Sequence, residues 1–291
     1  MTDELHHVDF GGAAELGTLV LVHGLGGSHL NWDLLAPALV GHARVLAVDL
    51  PGFGLSAPSR RPATLRRNVE ALTRFVRRVA DPPVVLVGNS MGGLVSALVT
   101  ARSPELVRAL VLVAPALPAP ARVLGSPRAG AVLALHALPG VGERLRRRRR
   151  ERIGAAATLR ETLVLGGVDP DRLPADLVER AVGLVARQSD VAGMDRAFLS
   201  ASRSLAWALV HARPYRAALA AVRVPVLLVH GDRDRLVPVE ASRDLARRHP
   251  RWRYVELAGA GHLPQLSVPD ELAGHLLTWL AALPPASCSR M

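Results

Sequence analysis

Val84-Val85-Leu86-Val87-Gly88-Asn89-Ser90-Met91-Gly92-Gly93 carries an apolar, β-branched run straight into a serine between small residues, and a helical pattern resumes from Leu94. An apolar run without alternation, closed by glycine, reads as a strand buried on both faces of a parallel sheet. A serine at a strand-to-helix junction has two readings. It can cap the helix by accepting a backbone N–H. Alternatively, in the pattern Gly-x-Ser-x-Gly, its hydroxyl is thrust clear of the sheet on a strained turn where a base can take its proton. Glycines at 88 and 92 leave the space such a turn needs.

The surrounding sequence repeats the same grammar. Short apolar runs at 18–23, 44–49, 84–88 and 107–113 read as strands, and 32–40, 64–80 and 92–101 read as helices between them. From Pro115 the alternation stops, to return with a strand at 224–230, a helix at 239–248, a strand at 251–257 and a helix at 269–280. The interruption is too long for a plain loop. This order predicts a parallel sheet covered on both faces, with residues 1–116 and 223–283 forming one domain. Residues 117–222 form a helical insertion above the carboxyl ends of the strands, where open α/β sheets place ligands. Residues 284–291 read as a tail.

Two further segments lie just past strand ends. His230-Gly231-Asp232-Arg233-Asp234 follows one strand, and Gly259-Ala260-Gly261-His262-Leu263-Pro264 follows the next. Nucleophile, acid and histidine thus occur in that sequential order, each at a strand's carboxyl end. Earlier, His23-Gly24-Leu25-Gly26-Gly27 and Asp49-Leu50-Pro51-Gly52-Phe53-Gly54-Leu55-Ser56 close two more strands.

Taken together, these motifs resemble those of α/β-hydrolase fold enzymes with a serine nucleophile, over nearly the whole chain outside the insertion. The resemblance implies an α/β fold: a doubly wound, mostly parallel sheet with a helical cap. It further implies that Ser90 attacks a carbonyl carbon, His262 moves the proton and Asp234 orients the imidazole. The backbone N–H groups of Leu25 and Met91 would form the oxyanion hole. Asp232 is the alternative acid, and the spacing Gly-x-x-Asp from Gly231 favours Asp234. His23 is expected to brace its loop, and Asp49 to bond backbone in its turn. Gly24, Asn89, Phe198, Trp207 and Leu263 are expected around the substrate, with Leu199 and Leu209 also on the insertion.

Composition narrows the remaining classes. Of 291 residues 49% are hydrophobic, and no apolar stretch is long enough to span a bilayer. The amino terminus Met1-Thr2-Asp3-Glu4 carries no hydrophobic signal region, so a cytoplasmic enzyme is expected. Net charge is +11 and every basic residue is arginine, which reads as compositional bias. With 3% aromatic content and no reading motif, nucleic-acid binding is not expected. Cys288 is the single cysteine, which excludes an intrachain disulfide. His6, His7, His29, His42, His136, His211 and His249 show no paired carboxylate or metal-ligand spacing, so neither metal nor cofactor is expected.

A serine at the elbow argues against the branches of the family that carry aspartate there. Ester hydrolysis of small to medium acyl or alkyl substrates is the first expectation. Thioester hydrolysis, cofactor-free peroxidation and carbon–carbon hydrolysis of dienone acids are the alternatives. The string Gly88-Asn89-Ser90-Met91-Gly92-Gly93 is similar to the carbon–carbon hydrolases, but they tend to carry tryptophan after the catalytic histidine, where this chain has Leu263. A ligand-binding protein without activity would be expected to show a damaged triad or oxyanion loop, and the sequence shows neither. Ala129 to Leu138 followed by the run Arg146 to Arg150 allows a weak contact with anionic membranes; a solvated helix face is the plainer reading. Oligomeric state is not legible.

Overall fold

Seven strands form one sheet in the computed structural model, which describes residues 4–13, 15–118 and 141–284. They are β1 (His7–Asp9), β2 (Thr18–Val22), β3 (Arg44–Val48), β4 (Val84–Asn89), β5 (Val107–Val113), β6 (Val226–Gly231) and β7 (Arg253–Leu257), in spatial order β1-β3-β2-β4-β5-β6-β7. β1 runs antiparallel on the edge and all other pairings are parallel. Every residue of β2, β4 and β6 is buried. Successive side chains alternate between two cores. Val20, Val22, Leu86, Leu110 and Leu228 face α2 (Leu65–Val79) and α3 (Met91–Arg102). Leu19, Leu21, Val85, Val87 and Val111 face α10 (Pro269–Ala281) through Leu272 and Leu276.

Two departures from the sequence reading have local causes. The helix expected over 32–40 is a 3-10 turn, His29–Trp32, followed by the single-turn α1, Ala36–Leu39. Pro37 sits in the first turn of α1, and one continuous helix would have buried its ring against a carbonyl in mid-helix. The unanticipated β1 is three residues of mixed polarity on an edge, too short to show a period.

Between β5 and β6 lie α4 (Val141–Leu165, bent at Gly154), α5 (Ala175–Asp190), α6 (Met194–Val210) and α7 (Ala212–Ala221). The four differ in what they cover. α7 belongs to the sheet core, since Tyr215 and Leu219 join the cluster under α3. The other three pack over the strand ends: Gln188 Nε2 donates to Gly54 O at 3.1 Å, Leu65 N to Ser204 Oγ at 3.0 Å, and Arg180 pairs with Asp33. The arginine run lies on α4, where Arg146 and Arg150 share Asp195, Arg147 faces Glu151 and Arg149 faces Glu161. Ala129 to Leu138 and Cys288 lie outside the described residues. Among the described residues no helix is long and apolar enough to cross a membrane.

The loops after β2 and β3 are fastened together by Asp49. Its fully buried carboxylate accepts from His29 N at 2.7 Å, Leu55 N at 2.8 Å and the Nδ1 atoms of His29 and His6, both at 2.9 Å. His6 and His29 therefore do have a paired carboxylate, contrary to expectation. The pairing was invisible in sequence because β1 brings His6 across from a distant position. Burial opposes ionisation of Asp49, but the His29 hydrogen bond, the nearby His23 and His29 imidazoles and the Leu55 N–H outweigh it and hold the carboxyl below its usual range.

Asp49→Ala removes one acceptor from two backbone and two imidazole donors, so it should destabilise the fold by about 3 kcal/mol in urea titrations near neutral pH. A depressed carboxyl pKa stabilises above its unfolded value and loses that contribution as pH falls, so the gap between wild type and variant should narrow below about pH 4.

Candidate active site

β2, β4, β6 and β7 all end at one edge of the sheet: Val22 pairs with Gly88, and Gly231 with Leu257. Every candidate catalytic residue emerges there. Ser90 joins β4 to α3 at φ 53°, ψ −119°, a left-handed conformation that an L-residue rarely adopts, and its side chain makes no capping hydrogen bond. The helix-cap reading of this serine is thereby set aside. The turn closes because its neighbours lack side chains. A Cβ on Gly92 would lie 2.2 Å from Val22 O, and one on Gly88 2.5 Å from Gly92 O. Ser90 N donates to Val113 O at 3.0 Å, and Ser90 O accepts from Leu94 N and Ala116 N, which fixes the turn against β5.

His262, buried, is paired with Asp234: Nδ1 lies 2.7 Å from Oδ2. A proton on Nδ1 donated to the carboxylate leaves Nε2 as the nitrogen with a free lone pair. Of the two candidate acids Asp234 is the one paired with His262, whereas Asp232 accepts Gly259 N at 2.6 Å. Asp234 Oδ1 takes Leu236 N and Val237 N at 2.8 and 2.9 Å, and Oδ2 also meets His230 Nε2 at 3.1 Å. Burial raises the energy of this carboxylate, yet the hydrogen bonds of His230 and His262, the electrostatic attraction of the His262 ring and the Val237 N–H more than compensate. They hold Asp234 well below the usual carboxylate range.

His230 was not singled out in the sequence. It is fully buried at the end of β6, its Nδ1 lies 2.7 Å from Ser242 Oγ, and its Nε2 is also 3.0 Å from Val237 O. A serine hydroxyl donating to Nδ1 leaves the proton on Nε2, directed at Asp234. The signal was present as a histidine four residues before an acid on a buried strand, but a lone histidine there also fits a satisfied core residue.

The loop after β2 lies against Ser90. A Cβ on Gly24 would sit 3.0 Å from Ser90 Cβ and 3.2 Å from Asn89 Oδ1, so a side chain there would crowd this close approach. Met91 opens α3, whose first N–H groups have no partner within the helix. His23 braces the loop as expected: Nδ1 donates to Gly24 O at 2.7 Å and Nε2 accepts from Leu50 N at 3.0 Å. Desolvation lowers its pKa, which favours the neutral ring these bonds require.

The residues expected around substrate divide. Phe198 reaches the loop after β2: its ring lies 3.1 Å from where a Cβ of Gly26 would be, with Arg146 stacked 3.6 Å over the ring centroid. Leu25 is half-buried in the same loop. Three other expectations need correction. Asn89 is buried and its amide donates to backbone, to His262 O at 3.0 Å and Val113 O at 3.1 Å, so it ties the histidine loop to the elbow. Trp207 is 60% exposed and stacks on His211, because the helical stripe that carries it turns outward at the end of α6. Leu263 packs in an apolar cluster with Leu163, Val168 and Leu177, bridging insertion and core. Leu199 is buried.

Among the described residues one trio could in principle converge on a metal, His6, His29 and Asp49, with ligand atoms within 4.8 Å of one another. The Nδ1 atoms of both histidines and both oxygens of Asp49 are engaged in the hydrogen bonds given above.

In ¹H NMR, the proton shared by His262 Nδ1 and Asp234 should give a resolved downfield resonance that Asp234→Ala abolishes and Asp232→Ala retains. The opposite pattern would reverse the assignment of the acid.

Three curated proteins and one crystal structure give this geometry its relatives. The chain is 32% identical over 91% of its length, and 96% of the other, to a pimeloyl-[acyl-carrier protein] methyl ester esterase of Xanthomonas campestris pv. campestris. It is 30% identical over 90% of its length, and 83% of the other, to a 2-hydroxy-6-oxo-6-(2'-aminophenyl)hexa-2,4-dienoic acid hydrolase of Metapseudomonas resinovorans. It is also 30% identical, over 90% of its length, to the dihydrolipoyllysine-residue acetyltransferase component of an acetoin cleaving system from Pseudomonas putida, of which it spans only 63%. The crystal structure of Cfl2 from Burkholderia cenocepacia superposes with a TM-score of 0.77 at 25% identity, covering 95% of this chain and 92% of that one. Residues 17–269 match the family described as alpha/beta hydrolase fold, and with the sheet order and the serine elbow in place the chain belongs to that family and is a hydrolase.

Proposed function

We propose that the protein is a serine hydrolase cleaving carboxylic esters of small to medium acyl or alkyl substrates through an acyl-enzyme on Ser90. One observation carries the reading: a buried histidine bonded at 2.7 Å to an ionised aspartate, on the same sheet edge as a serine held in a strained turn with no capping bond. Ser90 Oγ attacks the ester carbonyl as His262 Nε2 takes its proton. The C–O bond to the alcohol then breaks, and His262 returns the proton to the departing alkoxide. Water, deprotonated by the same nitrogen, hydrolyses the acyl-enzyme and frees the acid. Asp234 stays ionised throughout, supporting the imidazolium that forms transiently. The negative oxygen of each tetrahedral intermediate is met by the N–H groups of Met91 and Leu25.

Esterase names among the relatives support ester over thioester or peroxide chemistry. Carbon–carbon hydrolysis of dienone acids is the second reading, favoured by the Metapseudomonas relative and by the elbow string containing Asn89. The buried, backbone-directed amide of Asn89 gives that string a role in either chemistry. Phe198 and the insertion bound the acyl side of the site on this reading.

A panel of nitrophenyl esters, thioesters and a dienone acid should show ester turnover dominating, and faster cleavage of the dienone acid would move the second reading to first place. Ser90→Ala should lower kcat by about a million-fold and Asp234→Asn by about 10⁴, as expected when three residues act as a unit. Unchanged turnover in Ser90→Ala would end the proposal.

A further inference from the structure

The last turn of α4 closes in a way that leaves one carbonyl for another purpose. Val168 N bonds Leu163 O at 2.9 Å and Gly167 N bonds Val164 O at 3.0 Å, with Gly167 left-handed at φ 78°. That is the paired closure by which a helix satisfies its terminal carbonyls through a glycine. The carbonyl of Gly166 lies beyond it and accepts from the histidine loop instead: His262 N donates to it at 2.9 Å and Leu263 N at 3.2 Å. The two chains meet backbone to backbone. A Cβ on Gly167 would fall 2.8 Å from Gly261 Cα, and one on Gly261 2.7 Å from Gly167 Cα.

His262 is consequently held from both sides of its own peptide. Its carbonyl is tied to the elbow through Asn89, and its N–H is tied to the helical insertion through Gly166. Leu263 packs beside Leu163 and Val168 on the insertion, which adds apolar contact to the two hydrogen bonds. The contact also sets the carboxyl-terminal, negative end of α4 against the residue that becomes an imidazolium in turnover.

We propose that the Gly166–Gly167 corner is a positioning element of the catalytic apparatus: the insertion, besides bounding the substrate site, sets the position of the general base His262 through the Gly166 carbonyl. This rests on the serine-hydrolase reading for its effect on turnover, but the geometry it asserts has its own readout. Gly166 and Gly167 touch neither substrate nor reacting atoms and act only through His262. The geometry required of Ser90 and His262 is narrow, since displacement of about 1 Å can reduce rate about a hundredfold.

The test compares glycines of matched strain. Gly167→Ala places a methyl group against Gly261 at φ 78°, whereas Gly259→Ala imposes a similar left-handed strain, φ 74°, in the histidine loop itself with open space for the methyl. With nitrophenyl acetate, Gly167→Ala should lose about a hundredfold in kcat with KM within about twofold, and Gly259→Ala should stay within about threefold of wild type. The downfield His262–Asp234 proton resonance should shift or broaden in Gly167→Ala and persist unchanged in Gly259→Ala. Gly166→Ala, whose methyl meets chiefly the movable Leu263 side chain (Cδ1 at 2.6 Å, Cγ at 3.0 Å) and Leu163 O at 3.3 Å, should show the same changes in milder form, and it decides the matter if Gly167→Ala does not fold. Equal kcat losses in the 167 and 259 variants, with an undisturbed resonance in both, would overturn the inference. A wild-type protein inert toward every ester would sink the functional reading, while the resonance comparison would still decide whether the corner positions His262.

Discussion

The site depends on how closely three stretches of backbone approach one another around Ser90. A serine at φ 53° is strained, and the strain persists only where its surroundings permit no alternative. Gly88 and Gly92 supply that condition by removing the side chains that would hold β2, β4 and α3 apart, and Gly24 lets the loop after β2 touch the serine. Any methyl group at 88 or 92 meets backbone rather than a movable side chain, so the turn cannot relax without separating strands. The sheet's buried central strands β2, β4 and β6 are the rigid frame against which this local cost is offset.

Around that turn the polar groups form connected chains rather than isolated pairs. Ser242, His230, Asp234 and His262 are linked by successive contacts between 2.7 and 3.1 Å, and each histidine's tautomer is set by its neighbour. On the other side, Asp49 joins His6, His29 and two backbone N–H groups from the loops after β2 and β3. Both carboxylates are buried and fully supplied with donors, the arrangement in which a buried charge is stable. One is bonded directly to His262, and the other fastens the loop after β2.

The fold was legible because its signals are local. Continuous apolar runs, glycine-bounded turns and acid and histidine at strand ends all follow from what a doubly covered parallel sheet demands. Ser90, Asp234, His262 and Gly24 stand out as candidates by the same route. What escaped depends on contacts distant in sequence. The Asp49–His6 pair spans 43 positions and requires a three-residue edge strand with no period of its own. Asn89 is expected toward substrate, yet at the end of β4 its amide turns to the backbone of Val113 and His262, contacts with residues distant in sequence. Trp207 was misplaced because a helical stripe gives a face but not the rotation of that helix over the core. The Gly166 carbonyl carries no sequence signal beyond a Gly-Gly pair at a helix end.

Covalent attack by Ser90 is the central claim, and quenched-flow mass spectrometry with a slowly deacylating nitrophenyl ester tests it most directly. Peptide mapping should find one acyl group per chain on the peptide bearing Ser90, appearing with the burst of nitrophenol and absent from Ser90→Ala. Nitrophenol release without any adduct, or an adduct mapped to another residue, would contradict the account.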